Sequence, residues 1–177
     1  MIKKNIILAV IYVLLAELSL RFFAYISISS SPIWPLSGVI LATLLIYGYK
    51  MAYGVWFGAF FTDIINLTLR GDVPVGAIVA TALMIATGST LGVIIGKYII
   101  DEFSAINRIF SSVNDIVIFV IAGCFMAAIS ALIGAGALFL NSIITFNLIG
   151  DVWLTWFTGD LAGIVVVAPV LLLWFKK

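Results

Sequence analysis

Histidine is absent from the sequence, and cysteine occurs once, at Cys124. A single cysteine cannot close a disulfide within the chain. Without histidine there is no cysteine–histidine zinc set and no histidine-ligated haem. A serine–histidine catalytic pair is excluded for the same reason. We therefore predict that the protein holds no metal and no organic cofactor, and that it is not an enzyme.

Charge is also scarce, because only 10% of the 177 residues are charged while 64% are hydrophobic. Soluble domains are about a quarter charged and about half apolar. The mean hydropathy of +1.31 describes a chain that a soluble fold of this length could not shield from water. The net charge of +1 argues against nucleic acid as a partner. We predict an integral membrane protein that forms a single domain over residues 1–177.

The apolar residues are grouped into six segments, each close to the roughly 20 residues that a helix needs to cross a bilayer. Helices are expected because an open strand would leave its backbone groups unpaired in lipid. The predicted fold is an all-α polytopic bundle of about six transmembrane helices. A tight turn is expected at 48–51, and the longest polar connection is 101–115. The segments lie at about 5–27, 34–49, 52–69, 75–98, 114–139 and 152–174.

The basic residues predict the orientation, since lysine and arginine accumulate on the cytoplasmic side of membrane proteins. With the N-terminus inside, the outer side holds only Arg70, and Arg21 lies within the first helix. Both termini are therefore predicted to be cytoplasmic, in the inner membrane of a cell. The inner side then holds the other seven basic residues: Lys3, Lys4, Lys50, Lys97, Arg108, Lys176 and Lys177.

Small residues recur at every fourth position along the later helices, which allows helix backbones to approach closely in lipid. We expect this spacing to serve packing inside one bundle rather than a seam between two copies. The residues concerned are Gly54, Gly58, Gly88, Gly92, Gly96, Gly123, Ala127, Ala131, Ala135, Gly159 and Gly163.

Four ionisable residues fall within the predicted spans: Glu17, Arg21, Asp63 and Asp160. Each would cost about 3 kcal/mol if it faced lipid near the centre of the bilayer. They are therefore expected to face the bundle interior, with partners. Arg21 should lie close to Asp63 or Asp160, and Glu17 can also pair with Arg21 at i and i+4.

In the predicted orientation, these polar groups all fall in the outer half of the membrane. Trp34 precedes Pro35 at the outer end of the second helix, where free N–H groups could meet an anion or a carboxylate. We predict an outward-facing polar pocket that binds a small ligand or responds to a stimulus. Two other interpretations stay open: a structural salt bridge between Arg21 and the acids, and tryptophans that serve as interface anchors. The candidate ligand-binding residues are Arg21, Trp34, Asp63, Asn66, Trp156 and Asp160.

Two stretches of the sequence resemble the signatures of the MASE1 integral membrane sensory domain. "PIWPLSGVILATLLIYGYKMAYGVWFGAFFTDIINL" (Pro32–Leu67) is similar to a Trp-Pro-Pro-x-Gly helix, a short positive turn and a Gly-x-Phe-x-Gly-Ala-Phe helix. "WLTWFTGDLAGIVVVAPVLLLW" (Trp153–Trp174) is similar to the second signature, Trp-x-x-Trp followed by Gly-Asp-x-x-Gly and Val-Ala-Pro. Leu36 replaces the second proline, and the segment around Ser89 lacks a glutamate that many members carry.

The resemblance implies a sensory module of a bacterial or archaeal signalling system. Its signal would pass to a cytoplasmic output protein such as a kinase or a cyclic-dinucleotide enzyme. Many members have about eight helices and a fused output domain, whereas six helices are predicted here. A small-solute binding or transport subunit of an importer is the alternative, because such subunits also combine six helices with an outward pocket. A packing protein without a ligand is the third possibility.

Overall fold

A computed structural model describes residues 1–23, 33–104 and 110–175 of the chain. These residues form six α-helices, and no strand occurs among them. Short 3₁₀ turns at Tyr49–Met51 and Phe146–Leu148 precede the third and sixth helices. The helices are α1 (Ile2–Phe23), α2 (Pro35–Tyr47), α3 (Ala52–Arg70), α4 (Val75–Phe103), α5 (Val113–Leu140) and α6 (Ile149–Phe175).

The helix ends follow from local sequence. Gly48 has φ 88° and Gly71 has φ 77°, a left-handed conformation that glycine adopts without steric cost, and these residues end α2 and α3. α5 begins with a capping box: the Ser112 hydroxyl accepts from the Asp115 amide, and the Asp115 carboxylate accepts from the Ser112 amide. The Ser104 hydroxyl also donates to Asp115 at 2.9 Å, which ties the end of α4 to the start of α5.

The helices form a ring in the order α1, α3, α4, α5, α6, α2, in which each helix except α2 packs mainly on its two neighbours. α1 and α2 share far less contact than the other neighbouring pairs of this ring. α2 also contacts α4 across the ring, and its residues Leu36, Leu41 and Leu44 are fully buried. The apolar core therefore surrounds α2, while long apolar faces of the other helices point outward, as expected for a bundle in lipid.

Small residues bring the backbones together at these seams. Gly92 lies so close to α5 that a Cβ at this position would be 2.7 Å from the carbonyl oxygen of Met126. Gly88 and Gly96 also face α5, and Gly58 faces Tyr12 of α1. The prediction that these small residues pack within one bundle is thus confirmed at the glycines of α3 and α4.

All six predicted segments contain a helix, and the predicted turn at 48–51 is observed. α4 extends five residues beyond the predicted end at 98, and α6 begins three residues before 152. Residues 24–27 of the first predicted span lie outside the described residues. Of the six helices, α2 is a shorter apolar helix and α3 carries Asp63 and Arg70. Four segments are long and apolar enough to cross a membrane: Ile2–Phe22, Val75–Phe103, Val113–Leu140 and Phe146–Phe175.

Candidate functional site

A cavity of about 340 Å³ lies inside the bundle, and all six helices contribute to its wall. Its lining residues come from the C-terminal half of α3 and the N-terminal halves of α2 and α6, so it lies towards one end of the ring. Among the polar residues of the wall are two carboxylates, three serines, one asparagine and one arginine. These are Asp63, Asp160, Ser37, Ser89, Ser130, Asn66 and Arg70.

The depth of the cavity is set by the short helix α2. The amide of Trp34, just before α2, donates a hydrogen bond of 3.0 Å to the carbonyl oxygen of Gly159. Gly159 is ten residues past the start of α6, or about 15 Å along its axis. A Cβ on Gly163 would overlap with the Trp34 carbonyl group, so only glycine lets α2 begin here. α2 thus begins about halfway along α6, beside the acidic residue that follows Gly159.

Asp160 is buried and is held by two serines from neighbouring helices. The Ser37 hydroxyl of α2 donates a short hydrogen bond to Oδ1 of Asp160, and Ser130 of α5 is a second side-chain partner. Ser37 lies in the first turn of α2, where the positive end of the helix dipole stabilises a negative charge. Asp160 of the same chain is therefore the carboxylate that lies at the first turn of α2.

Asp63 of α3 lines the same cavity without a comparable set of donors. No hydrogen bond and no ion pair joins its carboxylate to any other residue within 1–23, 33–104 or 110–175. Tyr12 of α1 interacts electrostatically with both Asp63 and Asp160, and its side chain also hydrogen-bonds with Ser89 of α4. Both acids therefore act electrostatically on Tyr12, and Asp63 has acceptor capacity left for a ligand.

Two tryptophans form aromatic walls of the cavity. Trp34 lies at the start of α2, and Trp156 lies one turn before Asp160 on α6. The Trp156 ring packs against Gly134 of α5, where a Cβ would overlap with the ring. Gly134 therefore determines where this ring can lie, and with it the width of the cavity.

The side chains nearest the end of the bundle are polar and mutually paired. Asn66 donates to Glu17 of α1 at 2.9 Å and to the carbonyl of Thr62. Arg70 pairs with Asp72 at 3.3 Å, in the turn that follows α3. Both Asn66 and Arg70 line the cavity, so they mark its outer rim.

The structure brings five of the six predicted site residues to the cavity wall: Trp34, Asp63, Asn66, Trp156 and Asp160. Arg21 is not brought there. It lies exposed on the last turn of α1, and no ion pair joins it to Asp63 or Asp160 in the described part of the chain. The physical reason is its position: a long side chain near a helix end reaches the polar interface without a buried partner. The expected Glu17–Arg21 pair is replaced by the Asn66–Glu17 hydrogen bond.

Sequence reasoning did not identify the hydroxyl groups of Tyr12, Ser37, Ser89 and Ser130 at the site. The position of Ser37 in the sequence indicates a role, because it lies in the first helical turn after the Trp-Pro pair, where a polar side chain is close to the helix N-terminus. The other three belong to apolar helices, in which serine and tyrosine are common. The described residues contain no group of three or more potential metal-ligating side chains. The chemistry of the site is thus hydrogen bonding, charge and aromatic contact.

A second polar cluster lies at the opposite end of the bundle. Lys97 of α4 is buried and pairs with Asp101 at 2.8 Å, while its ammonium lies 4.7 Å from the centre of the Tyr49 ring. The Tyr49 hydroxyl donates to the same carboxylate at 2.9 Å. This cluster joins the α2–α3 turn to the end of α4.

Comparison with curated proteins and with solved structures gives no match. A comparison with family models gives one: the MASE1 model matches residues 5–177. The matched region contains the cavity and the Trp34–Gly159 contact, which joins the two stretches whose sequences resemble the MASE1 signatures. The chain belongs to the MASE1 family of membrane-associated sensory domains.

Proposed function

We propose that the chain crosses the inner membrane of a bacterial or archaeal cell six times and senses a small ligand in a cavity that opens to the outside. The observation that carries the proposal is the cavity itself, a space of about 340 Å³ with two carboxylates inside an apolar bundle. Ligand pockets of small molecules have volumes of this order. Charged groups within a membrane domain are costly, so their placement around an internal space favours a binding role over a packing role.

The six crossings include the two helices that are short or polar. α2 has 13 residues and is about 20 Å long, less than the roughly 30 Å of hydrocarbon core. It packs against α6 and also contacts α4, so its ends can be satisfied by protein rather than lipid. α3 packs between α1 and α4, and Asp63 faces the cavity. Both helices are therefore compatible with a position across the membrane.

The distribution of basic residues supports an outward opening. The cavity lies at the end of the bundle that holds Arg21 and Arg70, whereas the other end holds the remaining basic residues that the structure describes, Lys3, Lys4, Lys50 and Lys97. The basic end is cytoplasmic by the positive-inside rule. Both termini are then cytoplasmic, where a kinase or a cyclic-dinucleotide enzyme would receive the signal.

Cysteine labelling tests this proposal. In a Cys124→Ser background, Asn66→Cys places a thiol at the cavity rim and Lys50→Cys places one at the opposite end. A membrane-impermeant maleimide added to intact cells should label Asn66→Cys, and it should label Lys50→Cys only after the cells are opened. The reverse pattern would refute the outward cavity.

The identity of the protein that co-purifies from native membranes would distinguish a sensory function from an importer function. A kinase or a cyclic-dinucleotide enzyme would support the sensory function. An ATPase motor would instead indicate the solute-binding subunit of an importer.

A further inference from the structure

The cavity has an excess of negative charge, which limits the chemistry of its ligand. Its two carboxylates, Asp63 and Asp160, face one basic side chain of the wall, Arg70. Arg70 lies at the rim and pairs with Asp72 outside the cavity. The inner part of the cavity therefore contains two acids and no described basic side chain.

Outside the cavity wall, no basic side chain of the described residues forms an ion pair with either acid. Residues 24–32, which link α1 to α2, contain no lysine or arginine. In the sequence, Arg108 lies between α4 and α5, and Lys176 and Lys177 follow α6. Arg21 is exposed on α1, away from the cavity wall. A positively charged ligand would therefore supply the counter-charge that the described residues do not.

The two acids differ in what they can offer such a charge. Asp160 already accepts from Ser37 and Ser130, so its negative charge is partly compensated. Asp63 has no hydrogen-bond or ion-pair partner in the described residues, so both of its oxygens can accept. A bound cation would relieve the cost of holding this charge inside the bundle.

The remaining walls suit an organic cation better than a bare metal ion. Trp34 and Trp156 present aromatic rings, whose faces attract ammonium groups. The cavity is much larger than a dehydrated metal ion, and the described residues contain no set of three metal-ligating side chains. Tyr12 and Ser89 add hydroxyl groups that can accept N–H bonds.

We propose that the ligand of this cavity is a small organic ammonium compound whose positive nitrogen is held by Asp63, in a space that Asp160 and the rings of Trp34 and Trp156 also line. This inference rests on the proposed function, because it names the ligand class of the same cavity. The charge supplies the selectivity, and the apolar part of the wall fits a short carbon skeleton.

The experiment uses the full chain in lipid nanodiscs, with methylammonium and choline as probes. Binding is followed by tryptophan fluorescence and by the midpoint of thermal unfolding. The matched control for choline is its neutral analogue, in which a carbon atom replaces the quaternary nitrogen. We expect at least one ammonium probe to bind saturably and to raise the unfolding temperature, and the neutral analogue to bind at least about tenfold more weakly.

Substitutions test whether the ammonium group binds at Asp63. Asp63→Asn should weaken ammonium binding by at least about tenfold, because it removes the negative charge that attracts the ammonium group. Asp63→Glu keeps the charge and should retain binding. Asp151→Asn removes an exposed acid at the same end of the bundle and should bind like the unchanged protein. Equal binding by Asp63→Asn and the unchanged protein would overturn the assignment.

Other outcomes are equally decisive. Equal binding of the neutral analogue, equal stabilisation by sodium chloride, or no binding of either ammonium probe would overturn the ligand class. If Asn66→Cys is nevertheless labelled from outside and a neutral or anionic solute binds, the proposed function survives and only the cation assignment fails. If the thiol at position 66 is never accessible from outside, the proposed function fails as well.

Discussion

The backbone amide of Trp34 and the carbonyl oxygen of Gly159 are joined by a hydrogen bond of 3.0 Å between α2 and α6. Trp34 begins the Trp-Pro segment, and Gly159 begins the Gly-Asp segment, so the two signature stretches of the sequence meet at one point. Because the bond runs from backbone to backbone, it depends on how closely the helices approach rather than on a particular side chain. The first prediction concerns that approach.

Gly163→Ala should destabilise the protein by about 1–3 kcal/mol, the range for overpacking a close contact. The added Cβ would overlap with the Trp34 carbonyl, and this is backbone that cannot rotate away. Thermal unfolding in detergent measures the effect. Gly136→Ala is the control, because a Cβ there meets nothing within 4 Å. Equal unfolding temperatures for the two variants would contradict the prediction.

Gly134→Ala should change the cavity more than the stability. The added Cβ would overlap with the outer ring atoms of Trp156, a side chain that can rotate about its own bonds. We expect a shift in tryptophan emission and weaker ligand binding, with a smaller loss of stability than for Gly163→Ala. Emission identical to that of the unchanged protein would show that Trp156 does not depend on Gly134.

Asp63→Asn should raise the stability of the ligand-free protein. The substitution removes a carboxyl whose ionised form no other described residue compensates, so the gain depends on the share of Asp63 that is ionised and is at most about 3 kcal/mol. Unfolding temperatures of the variant and the unchanged protein, both without ligand, provide the comparison. A lower temperature for the variant would mean that Asp63 stabilises the fold through a partner.

Asp160→Asn should leave the protein folded and in the membrane while it abolishes the ligand response of the output partner. The amide oxygen can still accept from Ser37, and the loss of a charged hydrogen bond is offset by the removal of a buried charge. Stability and output are to be measured on the same preparation. Lost stability with normal output would assign Asp160 a structural role, and no change in either would leave it with neither role.

Asp101→Asn should destabilise the opposite end of the bundle, because the buried ammonium of Lys97 would lose its charged partner. Asp101 is itself partly exposed, so solvent screening limits the loss to about 1–2 kcal/mol. The neighbouring exposed acid provides the control, and Glu102→Gln should have no effect. Hydrogen exchange at the α2–α3 turn would show the change directly, since Tyr49 also donates to Asp101.

The bundle and most of the cavity wall could be predicted because hydrophobicity fixes the segments and the helical period fixes which residues share a face. Asp63 and Asn66 were placed together in this way, and so were Trp156 and Asp160. The same reasoning could not place Arg21, because spacing along one helix does not show how that helix is rotated towards its neighbours. Ser130 and Tyr12 were missed for a related reason: their roles come from contacts with other helices.

The ring of helices has one weakly packed boundary, which lies between α1 and α2. α2 is fixed to α6 by backbone contacts at Gly159 and Gly163, while α1 packs on α3, and α1 and α2 touch each other least. The two acids belong to helices that are opposite each other in the ring, Asp63 to α3 and Asp160 to α6. A change in the distance between the two acids would therefore disrupt the fewest contacts if the bundle opened at the α1–α2 boundary.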